Sequence, residues 1–194
     1  MAFLHQKGIV QRDLKAENIL LFPNGAPSGT SSIGTLKLAD FGVAASIEQQ
    51  EGLFGVFGTV PFIAPEVYAT TGSSGGYGTP ADMFSAGVLL YWLLSGDFPP
   101  LTAGNLFPDK STAARSLVEE FSREPWLLIS DCAQKLISSL LQADPALRLS
   151  ANDVLCHSWW DREVPGLLSK RRRRPSEEAS SEGEGSFHSK EDPI

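Results

Sequence analysis

The stretch Gly8-Ile9-Val10-Gln11-Arg12-Asp13-Leu14-Lys15-Ala16-Glu17-Asn18-Ile19-Leu20-Leu21 decides how the rest of the chain is read. A short apolar entry, Ile9-Val10, leads into a polar loop, and the apolar run Ile19 to Leu21 leaves it. That run is too short for a helix and is expected to form a buried strand. Asp13, Lys15 and Asn18 therefore sit on irregular backbone pinned at both ends, which is how a fold holds polar groups rigidly at a cleft. A carboxylate two residues from an ammonium, with an amide oxygen three further on, supplies a proton acceptor, a counter-charge for phosphate and a hard metal ligand. A loop of this composition also arises by chance on a surface, so its meaning depends on the rest of the chain.

Downstream, Asp40-Phe41-Gly42 follows the alternating segment Leu36 to Ala39, expected as a short strand. Gly58-Thr59, Pro61-Phe62-Ile63 and Ala64-Pro65-Glu66 come next. Asp82 to Gly87 then opens a strongly apolar helix, and Arg148 lies in Asp144-Pro145-Ala146-Leu147-Arg148-Leu149. The order and rough spacing of these motifs resemble the C-terminal lobe of a eukaryotic Ser/Thr protein kinase, from Met1 to about Trp160. Leu136-Ile137, Leu140-Leu141, Asp144-Pro145, Arg148 and His157-Ser158-Trp159 look most like the calcium/calmodulin-dependent kinase group, including calcium-dependent protein kinases. No EF-hand loop follows in this chain.

The resemblance implies a mainly α (α+β) fold: a kinase C-lobe over residues 1–164 with short β-hairpins at the catalytic cleft. It further implies that the N-lobe is missing, and the composition is expected to give a disordered polybasic/acidic, Ser-rich tail over residues 165–194. It also implies roles. Asp13 orients the substrate hydroxyl and accepts its proton, Lys15 offsets charge on the transferred phosphoryl group, and Thr59 contacts both. Lys15 argues for Ser/Thr over Tyr specificity. ATP and Mg are the implied cofactors, with Lys15, Glu17, Asn18, Leu20 and Asp40 on the nucleotide side. Leu20 would lie under the adenine, while Asn18 and Asp40 would hold Mg²⁺. Phe41 is expected to pack inward, Glu66 to pair with Arg148, and Asp82 to bond the catalytic-loop backbone.

In this family an Arg beside the catalytic Asp, here Arg12, commonly binds a phosphate on the activation segment, Val43 to Gly58. No Ser, Thr or Tyr lies between Ser46 and Thr59. Glu48 and Glu51 are therefore expected to serve Arg12 as fixed carboxylates, with no phosphorylation switch. Two departures from the family pattern stand out. Gln11 replaces a His that packs on the Phe of Asp-Phe-Gly, which is expected to weaken a supporting contact, and Phe84 replaces a Trp. Glu17 hints at basic residues in the substrate, although Trp92 sits where some basophilic kinases carry a second acid.

Local signals place the remaining elements. Met1 to Lys7 reads as the last turns of a helix ended by Gly8. Pro23 to Thr35 is too long for a hairpin turn and reads as an inserted loop. Thr79 is expected to cap a helix running to Ser95, apolar all round and so central, with Gly96 ending it. A short helix is expected at Thr112 to Ser122. Ser130 and Ser150 are expected to cap two further helices, the first with a core face of Ala133, Leu136, Ile137, Leu140 and Leu141, the second covering Ala151 to His157.

Composition excludes several classes. With 42% hydrophobic and 20% charged residues over 194 positions, the chain fits an ordinary globular domain. Cys132 and Cys156 have no metal-ligand spacing and read as reduced packing residues. The longest apolar run, Val88 to Leu94, falls short of the about 20 residues a membrane span needs, and no secretory signal is visible. Net charge is −7. In the tail Lys170, Arg171 to Arg174 and Lys190 balance Glu177, Glu178, Glu182, Glu184, Glu191 and Asp192, so the body carries the acidity. Protein substrates, and no nucleic acid, are the expected partners. Lys170 to Arg174 resembles a nuclear-localisation patch or a solvated linker, and Ser176 a phosphoacceptor, so the expected location is cytoplasmic or nuclear. Nothing matches a Gly-rich loop, a strand Lys in Val-Ala-Ile-Lys or its Glu partner. The expected explanation is an incomplete coding sequence, and the chain alone is expected to transfer no phosphate. The alternative is a non-catalytic, kinase-like interaction module.

Overall fold

Helix Pro80–Ser95 carries so many apolar residues that no single face holds them, and it is the element the others pack around. A computed structural model describes residues 1–23, 34–47, 52–70, 75–100 and 117–160. In chain order the elements are α1 (Ala2–Gln6), β1 (Ile9–Val10), β2 (Ile19–Phe22), β3 (Thr35–Leu38), β4 (Ala45–Ser46), α2 (Pro65–Ala69), α3 (Pro80–Ser95), α4 (Asp131–Leu140) and α5 (Ala151–Leu155). Residues 117–121 are also helical. One compact unit spans Met1–Trp159; of the second, Trp160–Ile194, only Trp160 is described.

On α3, Asp82, Phe84, Val88 and Tyr91 are each at most 2% exposed. Phe84, Val88 and Tyr91 pack with Val10, Phe62, Val67, Tyr77, Trp126 and Ile137 into one cluster, and Met83 joins Leu136, Leu140 and Ala151 in a second. The helix is therefore buried on opposite sides, as an all-round apolar sequence requires. Its last turn emerges: Leu93, expected in the core, is 63% exposed. Gly87 lets α4 approach, since a Cβ there would lie 2.8 Å from Leu140 Cβ.

Caps were largely legible. Gly8 (φ 63°) and Gly96 (φ 81°) end α1 and α3 in the left-handed conformation that glycine takes at little cost. Ser130 accepts from Ala133 N, and Ser150 forms a reciprocal capping box with Asp153. Thr79 is a correction. It stands at the N-cap of α3 with helical backbone angles (φ −53°, ψ −28°), and its hydroxyl accepts no capping bond. Side-chain capping needs the extended backbone that Ser150 has. Helix α5 stops at Leu155, short of His157. Of the helix expected at Thr112 to Ser122, residues 117–121 are helical and 112–116 fall outside the described residues, as do residues 24–33 of the inserted loop between β2 and β3 and the tail.

Two small antiparallel sheets carry the polar loop. Strand β1 pairs with β4 (Ile9↔Ser46, Val10↔Ala45), and β2 pairs with β3 from Ile19↔Leu38 to Phe22↔Thr35. The expectation of a buried β2 is overturned: Leu20 is 45% and Leu21 58% exposed, opposite Leu36 at 64%. Successive strand residues face opposite sides, so burying them all needs cover on both faces. Beyond Ile19, which packs on the core, the two-stranded hairpin lacks that cover among the described residues.

Candidate active site

The loop between β1 and β2 is fastened from below. Asp82, at the start of α3 and 0% exposed, accepts Gln11 N at 2.9 Å (Oδ2) and Arg12 N at 2.8 Å (Oδ1). His5 Nε2 lies 2.9 Å from the same Oδ2. A buried carboxylate thus finds donors, as the sequence suggested for Asp82. His5 had no signal in the sequence, because the contact joins residues 77 positions apart. Arg12 takes φ 70°, an uncommon value off glycine, which this doubly anchored turn sustains.

Above the anchor, Asp13, Lys15, Asn18 and Thr59 converge. Lys15 Nζ lies 2.8 Å from Asp13 Oδ2 and donates to Thr59 Oγ1 at 2.6 Å. Thr59 Oγ1 donates to Asp13 Oδ1 at 2.7 Å. Asn18 Nδ2 donates to the Asp13 backbone oxygen at 2.8 Å and to Oδ2 at 3.2 Å. Burial pushes the Asp13 carboxyl up, but the bonds from Lys15, Thr59 and Asn18 and the Lys15 charge outweigh it and hold it below its ordinary value of 3.8. Lys15 is pushed above 10.5 by its bond to Asp13 against the cost of burial, aided by the charges of Asp13, Glu17 and Asp40. The site at neutral pH is therefore an ammonium–carboxylate pair bridged by a hydroxyl.

Asp40 joins this edge through the backbone. Ala39 N donates to Asn18 O at 2.8 Å, continuing the β2/β3 ladder, and Asp40 then turns with φ 54°. Gly42 N donates to Asp40 Oδ1 at 3.0 Å. Gln11 completes the link: its Nε2 donates to Asp40 O at 3.0 Å and its Oε1 accepts Asp13 N at 2.9 Å. One fully buried amide thus spans the two acidic segments. Gln11 therefore does not simply weaken support at this position. It substitutes a two-sided polar bridge. Phe41 is a further correction, since it lies 47% exposed instead of packing inward. The interior contact at the turn is made by the Gln11 amide.

Glu17 and Leu20 lie on the same loop and hairpin, both exposed. With its Nδ2 turned to Asp13, the Asn18 amide leaves Oδ1 unbonded among the described residues, as is Oδ2 of Asp40. No group of three or more His, Cys, Asp or Glu side chains converges among the described residues. One amide and one carboxylate oxygen suit Mg²⁺, which keeps waters and takes substrate phosphates for the rest of its shell. Away from this edge Arg148 meets Glu66 through two bonds, 2.5 and 2.9 Å, and also donates to the backbone oxygens of Pro80 and Gln142. Glu48 and Glu51, the expected partners of Arg12, lie outside the described residues.

A helical lobe whose short hairpins present Asp13, Lys15, Asn18 and Asp40 at one edge has the layout of a protein kinase's helical lobe. Comparison with known proteins agrees: the protein kinase domain family matches residues 1–160, and the chain belongs to that family. It is 40% identical over 184 residues to the serine/threonine-protein kinase DCLK3 of Homo sapiens, covering 94% of this chain and 26% of that protein. It is 39% identical over 164 residues to the serine/threonine-protein kinases CG17528 of Drosophila melanogaster and GL21140 of Drosophila persimilis, covering 82% of this chain and 20% of each. The chain thus spans about a quarter or less of the length of these relatives.

Proposed function

We propose that this chain is the helical lobe of a protein serine/threonine kinase, transferring the ATP γ-phosphoryl group to Ser or Thr hydroxyls of protein substrates. The observation that carries the reading is the hydrogen-bonded set Asp13–Lys15–Thr59–Asn18. Its carboxylate, kept ionised by its neighbours, is a weak base suited to aligning a substrate hydroxyl and taking its proton late in transfer. Lys15 sits where it offsets charge on the phosphoryl oxygens, and Thr59 ties the substrate-facing segment to both. Asn18 and Asp40 are the residues that would hold Mg²⁺, which supplies charge neutralisation across the phosphates when bound. Glu17, exposed beside them, favours basic peptides.

The exposed apolar side chains Leu20, Leu21, Leu36 and Phe41, spread over both faces of the β2/β3 hairpin and the turn after it, support reading the chain as part of a two-lobed domain, with adenine and the other lobe covering some of them. The motif from Leu136 to Arg148 supports a place near the calcium/calmodulin-dependent group. Among the described residues no helix is long and apolar enough to cross a membrane, and the Lys170 to Arg174 run favours a cytoplasmic or nuclear site of action. The same exposed apolar side chains also favour a second reading, a non-catalytic module that docks on a kinase partner. Phosphoryl transfer decides between them. Joined to a kinase N-terminal lobe, the chain is expected to phosphorylate basic Ser/Thr peptides, and Asp13→Asn to abolish this. Transfer unaffected by Asp13→Asn refutes the assignment, and no transfer with intact folding selects the docking module.

A further inference from the structure

Phe57 and Gly58 of the activation segment, with Thr59 directly after it, grip two consecutive residues of the loop. The Thr59 hydroxyl holds the Asp13 carboxylate. Gly58 (φ 116°) runs so close to Arg12 that a Cβ would lie 2.7 Å from the Arg12 carbonyl oxygen. The Phe57 ring faces the Arg12 guanidinium, whose central carbon lies 4.1 Å from the ring centroid. Among the described residues the guanidinium otherwise bonds neutral groups: Nε donates to the Val43 carbonyl and Nη1 to the Tyr77 hydroxyl at 3.4 Å. No carboxylate pairs with it among the described residues. The segment between Ser46 and Thr59 contains no hydroxyl side chain that could be phosphorylated, and Glu48 and Glu51 lie outside the described residues, so the partner described for Arg12 is one the sequence supplies directly. An aromatic face is such a partner, attracting a cation through its quadrupole.

We propose that Phe57 is a positioning residue that takes the place of an activation-segment phosphate: its ring on the Arg12 guanidinium holds Gly58 and Thr59 against Asp13 and Lys15. The substrate-facing segment is then set by the sequence itself, without a phosphorylation switch. The consequence for activity rests on the kinase reading above, while the clasp itself does not. At 40% exposure of Phe57, losing the ring's attraction is expected to raise the population of released Thr59 about two- to five-fold.

The test is the Thr59 side-chain rotamer, read from three-bond couplings to its methyl carbon in the folded chain, with amide exchange at Phe62, whose N–H bonds Thr59 O. Phe57→Leu keeps an apolar side chain but removes the π face. It is expected to average the Thr59 rotamer and speed Phe62 exchange about two- to five-fold, while Phe57→Tyr restores both. In an Arg12→Met background Phe57→Leu is expected to add nothing. Unchanged couplings in Phe57→Leu, or the same increment in the Arg12→Met background, overturn the clasp. So does a shift in Thr59 couplings when protein from eukaryotic cells is treated with phosphatase. Should Phe57→Leu fail to fold, the Phe57→Tyr and Arg12→Met pair carries the comparison alone. Couplings that behave as expected in a polypeptide that transfers no phosphate would leave the clasp standing and remove only the kinase reading.

Discussion

Gln11→Leu is the most informative single change, because it removes both halves of one bridge while keeping a side chain of similar bulk. It leaves the Asp13 N–H without the Gln11 Oε1 at 2.9 Å and the Asp40 carbonyl without Nε2 at 3.0 Å. An orphaned buried polar group costs about 1–3 kcal/mol. Asp40 is exposed and its carbonyl can recruit water, whereas the Asp13 N–H faces a side chain that is 0% exposed. The cost therefore falls mainly on the N–H, about 2–3 kcal/mol in all, or a fall in Tm of about 4–12 °C for a domain of this size. Gln11→Glu separates the two halves. It keeps the acceptor for Asp13 but sets a carboxylate against the Asp40 carbonyl, so the buried group is expected to hold its proton. Its folded pKa is then raised above about 4.3, and the variant loses stability, relative to the parent, as pH rises from that value through the folded one. Urea denaturation across the mildly acidic to neutral range, with amide exchange at Asp13, measures both effects. A Gln11→Leu protein within about 0.5 kcal/mol of the parent, with Asp13 exchange unaltered, refutes the bridge.

Glu66→Ala leaves the Arg148 guanidinium, 0% exposed at its side chain, without its carboxylate. Removing one partner of a buried pair costs about 3–5 kcal/mol, and the Pro80 and Gln142 carbonyls bring the expectation to the lower end; chemical denaturation giving under about 1 kcal/mol contradicts it. Gly87→Ala gains about 1 kcal/mol of helix propensity but meets Leu140 Cβ at 2.8 Å, and overpacking costs about 1–3 kcal/mol. A net loss of stability is expected, and a gain would show that α3 and α4 pack less tightly. The Asp13–Lys15 pair has a definite pH window. The lowered Asp13 pKa contributes stability present above 3.8 and lost as pH falls through the folded value, and the raised Lys15 pKa contributes stability lost as pH rises past 10.5. The stability difference between parent and Asp13→Asn, followed by denaturation across pH, should shrink at both ends; a difference flat in pH contradicts the pairing.

What the sequence made legible was whatever a local signal or an ordered motif encodes. Gly8, Gly96, Ser130 and Ser150 announce helix ends because their chemistry acts within a turn. Asp82 could be foreseen because the kinase resemblance implied that it bonds the catalytic-loop backbone. What escaped was set by surroundings. A run such as Ile19-Leu20-Leu21 states only that it is apolar, and the exposure of Leu20 and Leu21 depends on what packs on the hairpin. The Gln11 substitution was visible, but not that an amide can donate to one segment while accepting from another. Thr79 has the right side chain at the right place and the wrong backbone angles. His5 on Asp82 and Phe57 on Arg12 are contacts across distant parts of the chain that no short pattern signals.

The central claim is that Asn18 and Asp40 present their oxygens to one nucleotide-bound divalent cation. Manganese, a paramagnetic stand-in for magnesium, tests it directly: Mn²⁺·ATP added to the isotopically labelled chain should broaden the resonances of Asn18 and Asp40 together, and Asp40→Asn should weaken both. Broadening confined to one of the two residues, or centred on the carboxylates of the tail with neither affected, would contradict the account.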